Sequence, residues 1–210
     1  MKFSLNVVLA ASAIFTGAIA TGTQAGQAAS NKAAASSGQT TTSSASDVLS
    51  SCVSQIKVYT AKINSTCSAL PKSPSSAQQS TAITSIKADL NDVVDIITST
   101  TTKVGKCSKT NVALQPLINY SEEILFEVFG TLQGAVTKIG SNTLTLLGNP
   151  VTNVENGLSS LLVNVEDVHS GVVKVAWGAC NNIISSHFSG VATPILAIGS
   201  TLSSECSCTH

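Results

Sequence analysis

The chain contains no arginine: all eleven of its basic residues are lysines, balanced by eleven acidic ones for a net charge of zero. Charged residues make up only 10% of the sequence and aromatics 4%, against about 25% charged in an average domain. Without a basic excess, nucleic-acid binding loses phosphate neutralisation, its main source of affinity. Without arginine, the planar fork that grips phosphates and carboxylates is missing as well. Also absent are G-x-S-x-G, H-E-x-x-H, G-x-x-x-x-G-K-[ST] and G-x-G-x-x-G, and with only three histidines little material remains for catalysis. The expectation is a non-enzymatic protein that needs no cofactor or metal.

What is abundant is serine and threonine, about a quarter of the residues. Met1-Lys2 followed by the mainly apolar Leu5 to Ala20, ending in Ala18-Ile19-Ala20, reads as a secretory signal peptide over 1–20. That run is shorter than the roughly 20 apolar residues of a membrane span. The polar segment Ser203 to His210 is no anchor signal. A secreted protein, extracellular or cell-wall associated and without a transmembrane anchor, is expected. Residues 21–46 are nearly all Ala, Ser, Thr, Gly, Gln and Asn, too poor in large apolar side chains to offset ordering entropy, and read as a disordered linker. The folded domain is expected over 47–210.

Within it the dominant period is helical. Leu49, Cys52, Ile56, Tyr59, Ile63, Cys67 and Leu70 form one stripe, with Ser46 as a candidate N-cap. Ile83, Ile86, Leu90, Val93, Ile97, Thr101 and Val104 form a second. Leu117, Ile124, Leu125, Val128, Phe129, Leu132, Val136 and Ile139 form a third, broader one. Val151, Val154, Leu158, Leu161, Val165, Val168, Val172, Val175 and Ala179 alternate steps of three and four, a seam of coiled-coil type. A last short helix carries Val191, Ile195, Ile198 and Leu202, with Pro194 in its first turn. These stripes predict an all-α antiparallel bundle of four or five amphipathic helices.

Six cysteines follow the leader: Cys52, Cys67, Cys107, Cys180, Cys206 and Cys208. An even number in an oxidising compartment predicts a disulfide-stapled bundle. In a simple up-down bundle Cys52, Cys107 and Cys180 fall near one end, and Cys67, Cys206 and Cys208 near the other. Three and three cannot all pair within ends, so the tail folds back, a long helix breaks at Gly140 or Gly171, or two cysteines stay unpaired. Cys52 with Cys107, and Cys67 with Cys206 or Cys208, are the favoured bridges. Cys206-Ser-Cys208-Thr-His210 is also the one compact set of metal-ligand types, though disulfides suit a secreted chain better. Asn64-Ser-Thr66 and Asn119-Tyr-Ser121 are N-glycosylation sequons.

Glu166 and His169 make a single E-x-x-H step, the unit that di-iron bundles use twice, and here a solvated face is expected. Glu122, Glu123 and Glu127 read as another. Six glycines interrupt the third and fourth stripes: Gly130, Gly134, Gly140, Gly157, Gly171 and Gly178. Either they allow close helix approach or simply break each helix into two shorter ones, or they leave an apolar groove lined by Phe126, Phe129, Val165, Val172 and Trp177 that takes a fatty acid or sterol.

The order of leader, Ser/Thr/Ala-rich linker and Val/Ile/Thr-rich helices resembles small secreted fungal proteins. Ser80-Thr-Ala-Ile-Thr-Ser-Ile-Lys-Ala-Asp-Leu90 and Ile96-Ile-Thr-Ser-Thr-Thr-Thr-Lys103 resemble the hydrophobic surface-binding protein A family, the cell-wall galactomannoproteins. The resemblance spans about Asp47 to Leu202. It implies a secreted helical protein, some of whose relatives bind lipid or hydrophobic surfaces. The six cysteines depart from that family and are more similar to cysteine-containing effector candidates of plant-associated fungi. From either group no functional residue carries over. The expected function is therefore action at the fungal cell surface or a host interface, as an effector through an unknown host or cell-wall partner. The alternative is a carrier of an apolar ligand or a protein that adsorbs to hydrophobic surfaces.

Overall fold

A computed structural model describes residues 43–110 and 112–205, with only the backbone described at 182–187. The expected signal peptide, the linker up to residue 42, and Cys206, Cys208 and His210 lie outside the described residues. Every regular element among the described residues is helical: α1 (Ala45–Ala69), α2 (Ser76–Val104), α3 (Leu114–Ile139), the short α4 (Thr143–Leu147), α5 (Asn149–Val168), α6 (Val172–His187) and α7 (Ala192–Glu205). A single 3-10 turn, Ser189–Val191, precedes α7.

Local chemistry sets the boundaries. Helix α1 starts two residues before Asp47 because Ser44, not Ser46, is its N-cap. The Ser44 hydroxyl accepts the Asp47 amide at 3.2 Å, and the Asp47 carboxylate accepts the Ser44 amide at 3.3 Å. Ser75 and Gln78 repeat this box at the start of α2. Gly140 and Gly148 end α3 and α4 at positive φ, 127° and 61°, and Gly171 stands just before α6 at 91°, where a side chain would be strained.

The break at Gly171 changes the architecture. The fourth stripe is two helices, and its phase shifts at the corner: Val172, Val173, Ala176, Trp177 and Cys180 are buried, whereas Val175 is 50% exposed and Ala179 also faces solvent. The expected four or five helices become six long ones and the short α4.

Those six lie in two rows. Helices α1, α3 and α6 neighbour one another in one row, and α2, α5 and α7 in the other. Helices consecutive in the chain run antiparallel, but neighbours within a row run parallel. Lys57 meets Glu123 and Thr60 meets Glu127 between α1 and α3. Between α2 and α5, Gly157 faces Ile97 and Gly105 faces Asn164. The expected antiparallel bundle is thus two rows of parallel neighbours packed around one continuous apolar core, with α1 and α2 the one closely packed antiparallel pair of consecutive helices among the described residues.

The abundance of serine and threonine is accommodated inside the helices. Thr84, Thr101, Thr137 and Ser159, among others, turn their hydroxyls back onto the carbonyl four residues earlier. A buried hydroxyl such as that of Ser159, 4% exposed, therefore needs no partner on another helix. Ser121, buried on α3, is the one residue whose fully buried side-chain oxygen has no partner among the described residues.

Candidate functional site

The four described cysteines, Cys52, Cys67, Cys107 and Cys180, are free thiols, and no two stand at bridging distance. The predicted Cys52–Cys107 bridge is not formed. Cys52 is buried on α1 beside Thr100 and Lys103 of α2, whereas Cys107 lies past the end of α2 and donates to the carbonyls of Ser43 at 3.4 Å and Lys103 at 3.3 Å. Burial pushes the Cys52, Cys67, Cys107 and Cys180 thiols above their usual pKa, and the Glu122 carboxylate adds to the effect at Cys180.

The expected partners of Cys67, Cys206 and Cys208, lie outside the described residues, and Cys67 itself is a buried free thiol in the last turn of α1. Disulfide stapling is thus not a feature of the described fold.

Glu166 has a structural task. Its carboxylate accepts the backbone amides of Gly171 at 2.6 Å and Val173 at 2.9 Å, capping α6 with a negative charge. The His169 ring stays beside the carbonyl of Ser170. No group of three His, Cys, Asp or Glu suited to a metal exists among the described residues. Sequence reasoning missed this cap because the acceptor precedes the helix it caps by a whole turn and a corner.

The acidic face of α3 divides in the same way. Glu123 pairs with Lys57 at 2.5 Å, both about half exposed. Glu127 accepts the Thr60 hydroxyl at 2.5 Å. Glu122 is half-buried near Cys180, and desolvation raises its pKa. Together Glu123 and Glu127 set the register of α1 on α3. The sequon residues Asn64 and Asn119 are both exposed, on α1 and α3. Asn119 accepts the Gln115 amide at 2.7 Å, and the Asn64 side chain lies over Gly134.

The residues of the expected apolar groove are dispersed. Phe129, Val165 and Val172 have no exposed surface and sit in the core; Phe126 is half-buried against it. Trp177, 6% exposed, borders a cleft of about 370 Å³ between α6 and α7, lined among the described residues by Gly178, Asn181, Ile195, Leu196, Gly199, Ser200 and Ser203. A second cleft, about 300 Å³, runs between α2 and α5 over Gly157 and is lined mostly by hydroxyl and amide side chains, among them Thr98, Asn153, Asn156 and Ser160. No described helix is long and apolar enough to cross a membrane.

Compared with protein-family models, with curated proteins and with solved structures, the chain matches none.

Proposed function

We propose that this is a secreted helical protein that acts through its outer surface, at the fungal cell surface or at an interface with a host. The observation that carries the reading is the filled interior. Phe129, Leu125, Val165 and Val172 all have zero exposure, so the core of the described residues is closed at these positions and recognition falls to the helix faces. Those faces are rich in hydroxyls, amides and lysines, the surface chemistry of a protein built to work in water. The leader at 1–20 supports export, and the resemblance to small secreted fungal proteins agrees with it.

Expression of the full chain in a eukaryotic secretory host tests this. The medium should contain a protein starting just after Ala20 by mass spectrometry, and that protein should sediment with intact cell walls or host cells. Retention inside the producing cell, or full recovery in the supernatant with both, would refute the proposal.

A further inference from the structure

Ser121 works against the fold that contains it. It is 2% exposed on α3, and its hydroxyl oxygen is fully buried without a hydrogen-bond partner among the described residues. Thr60, Thr143 and Ser159, buried to a similar degree, turn their hydroxyls to a carbonyl or a carboxylate. A buried hydroxyl left unpaired loses its water and gains no bond in exchange. Alanine at 121 would suit both the core and the helix better.

The same serine is the third residue of the sequon Asn119-Tyr-Ser121, and the structure divides that sequon in two. Asn119 is exposed. Its Oδ1 accepts the Gln115 amide at 2.7 Å, while Nδ2, the atom that carries an N-glycan, makes no hydrogen bond among the described residues. Residues two apart on an α-helix stand about 200° apart around its axis, so the asparagine faces out and the serine in. The sequon is defined by both residues, the amide that takes the sugar and the hydroxyl two positions on. No enzyme site can engage the two together on a formed α3. The other sequon carries no such sign, since Thr66 is only partly buried.

We infer that Asn119 is an N-glycan site, modified while this stretch is still extended, and that Ser121 serves that step before the fold buries it. Asn119 Nδ2 bonds to the anomeric carbon of an oligosaccharide carried on a lipid pyrophosphate. The bond from that carbon to the pyrophosphate oxygen breaks, the pyrophosphate leaves with the electron pair, and Nδ2 gives up one proton. Oδ1 is left able to accept from Gln115, and α3 then forms with the glycan on its outer face. The inference rests on the export reading above, because the donor is met in the secretory pathway.

The test expresses the full chain in a eukaryotic secretory host and maps the secreted protein by mass spectrometry. Enzymatic glycan release in heavy-oxygen water marks each occupied asparagine, and Asn119 should be marked. Ser121→Ala should remove that mark, and Ser121→Thr, which keeps the hydroxyl, should retain it. Made under tunicamycin, so that neither protein carries N-glycans, Ser121→Ala should melt about 2–4 °C above the wild type. Incubated with the transferase and its lipid-linked donor, the folded, unglycosylated wild type should stay bare at Asn119, while the proteolytic peptide containing Asn119 is modified. A lower midpoint for Ser121→Ala, a mark that survives Ser121→Ala, or modification of the folded protein as fast as of the peptide would overturn the inference. A secreted protein bare at Asn119 would overturn it alone, whereas retention in the cell with Asn119 bare would overturn the export reading as well.

Discussion

Glu166 and Val173 are joined across the corner at Gly171, the carboxylate of one accepting the backbone amide of the other at 2.9 Å. A side chain from the end of α5 thereby closes the start of α6, and the angle between the helices is tied to one acidic residue. Glu166→Ala should lower stability by about 1–2 kcal/mol, the usual loss for a helix cap or a charged hydrogen bond. Glu166→Gln, which keeps one acceptor oxygen, should lose less. Urea denaturation of the two variants checks the order.

Two glycines inside helices should respond in opposite directions. A Cβ at Gly130 would meet only the tip of Phe188 at 4.0 Å, whereas one at Gly157 would come within 3.1 Å of Ile97, a core residue with no exposed surface. Gly130→Ala should stabilise by about 0.5–1 kcal/mol through helix propensity. Gly157→Val should destabilise by about 1–3 kcal/mol by forcing α5 away from α2. Thermal midpoints of both variants decide the matter.

The thiols should separate by burial. Cys107 is partly exposed, whereas Cys52 and Cys180 have no exposed surface. Among the four described cysteines, iodoacetamide should label Cys107 first, and Cys52 and Cys180 only on unfolding. Because burial raises the Cys107 pKa, its labelling rate should go on climbing above the ordinary thiol value of 9.0. Peptide mass spectrometry over time reads both effects, and early labelling of Cys180 would contradict the packing of α6 on α3.

Glu122 gives a pH signature. Desolvation raises its pKa in the folded protein, so the folded state holds this proton more tightly than the unfolded chain does. The burden of the buried charge is present at neutral pH and is relieved as pH falls through the folded-state pKa. Glu122→Gln should therefore raise the denaturation midpoint near about pH 7 and leave it unchanged near about pH 3, where the wild-type carboxyl is protonated. An equal gain at both values would assign the effect to packing alone.

Much of the helical content was legible because burial follows period. Leu49, Cys52, Ile56, Ile63 and Cys67 are all core residues of α1, and Val191, Ile195, Ile198 and Leu202 are all buried around α7 as their spacing implies. The corner at Gly171 was harder to place, since steps of three and four continue through it in the sequence while the backbone turns. Val175 and Ala179 fit the count but not the core. Periodicity also says which face of a helix is apolar and not which helix covers it. The parallel rows, and with them the end at which α7 stops, could not be read from the stripes. Trp177 was picked out from sequence, but its neighbours were not, because Gly199 and Leu196 lie on a helix whose partner was unknown.

The parallel rows have a consequence for how the chain finds its fold. The bonds joining α1 to α3 link residues 66 and 67 positions apart, and the one seating the 3-10 turn on α3 spans 57. In an up-down bundle, adjacent helices can close across a short turn. Here each row closes only after an intervening helix has gone out and back. The entropy of closing such loops must be met before the contacts repay it. This domain should therefore lock its rows late, folding more slowly than its all-helical content alone would suggest.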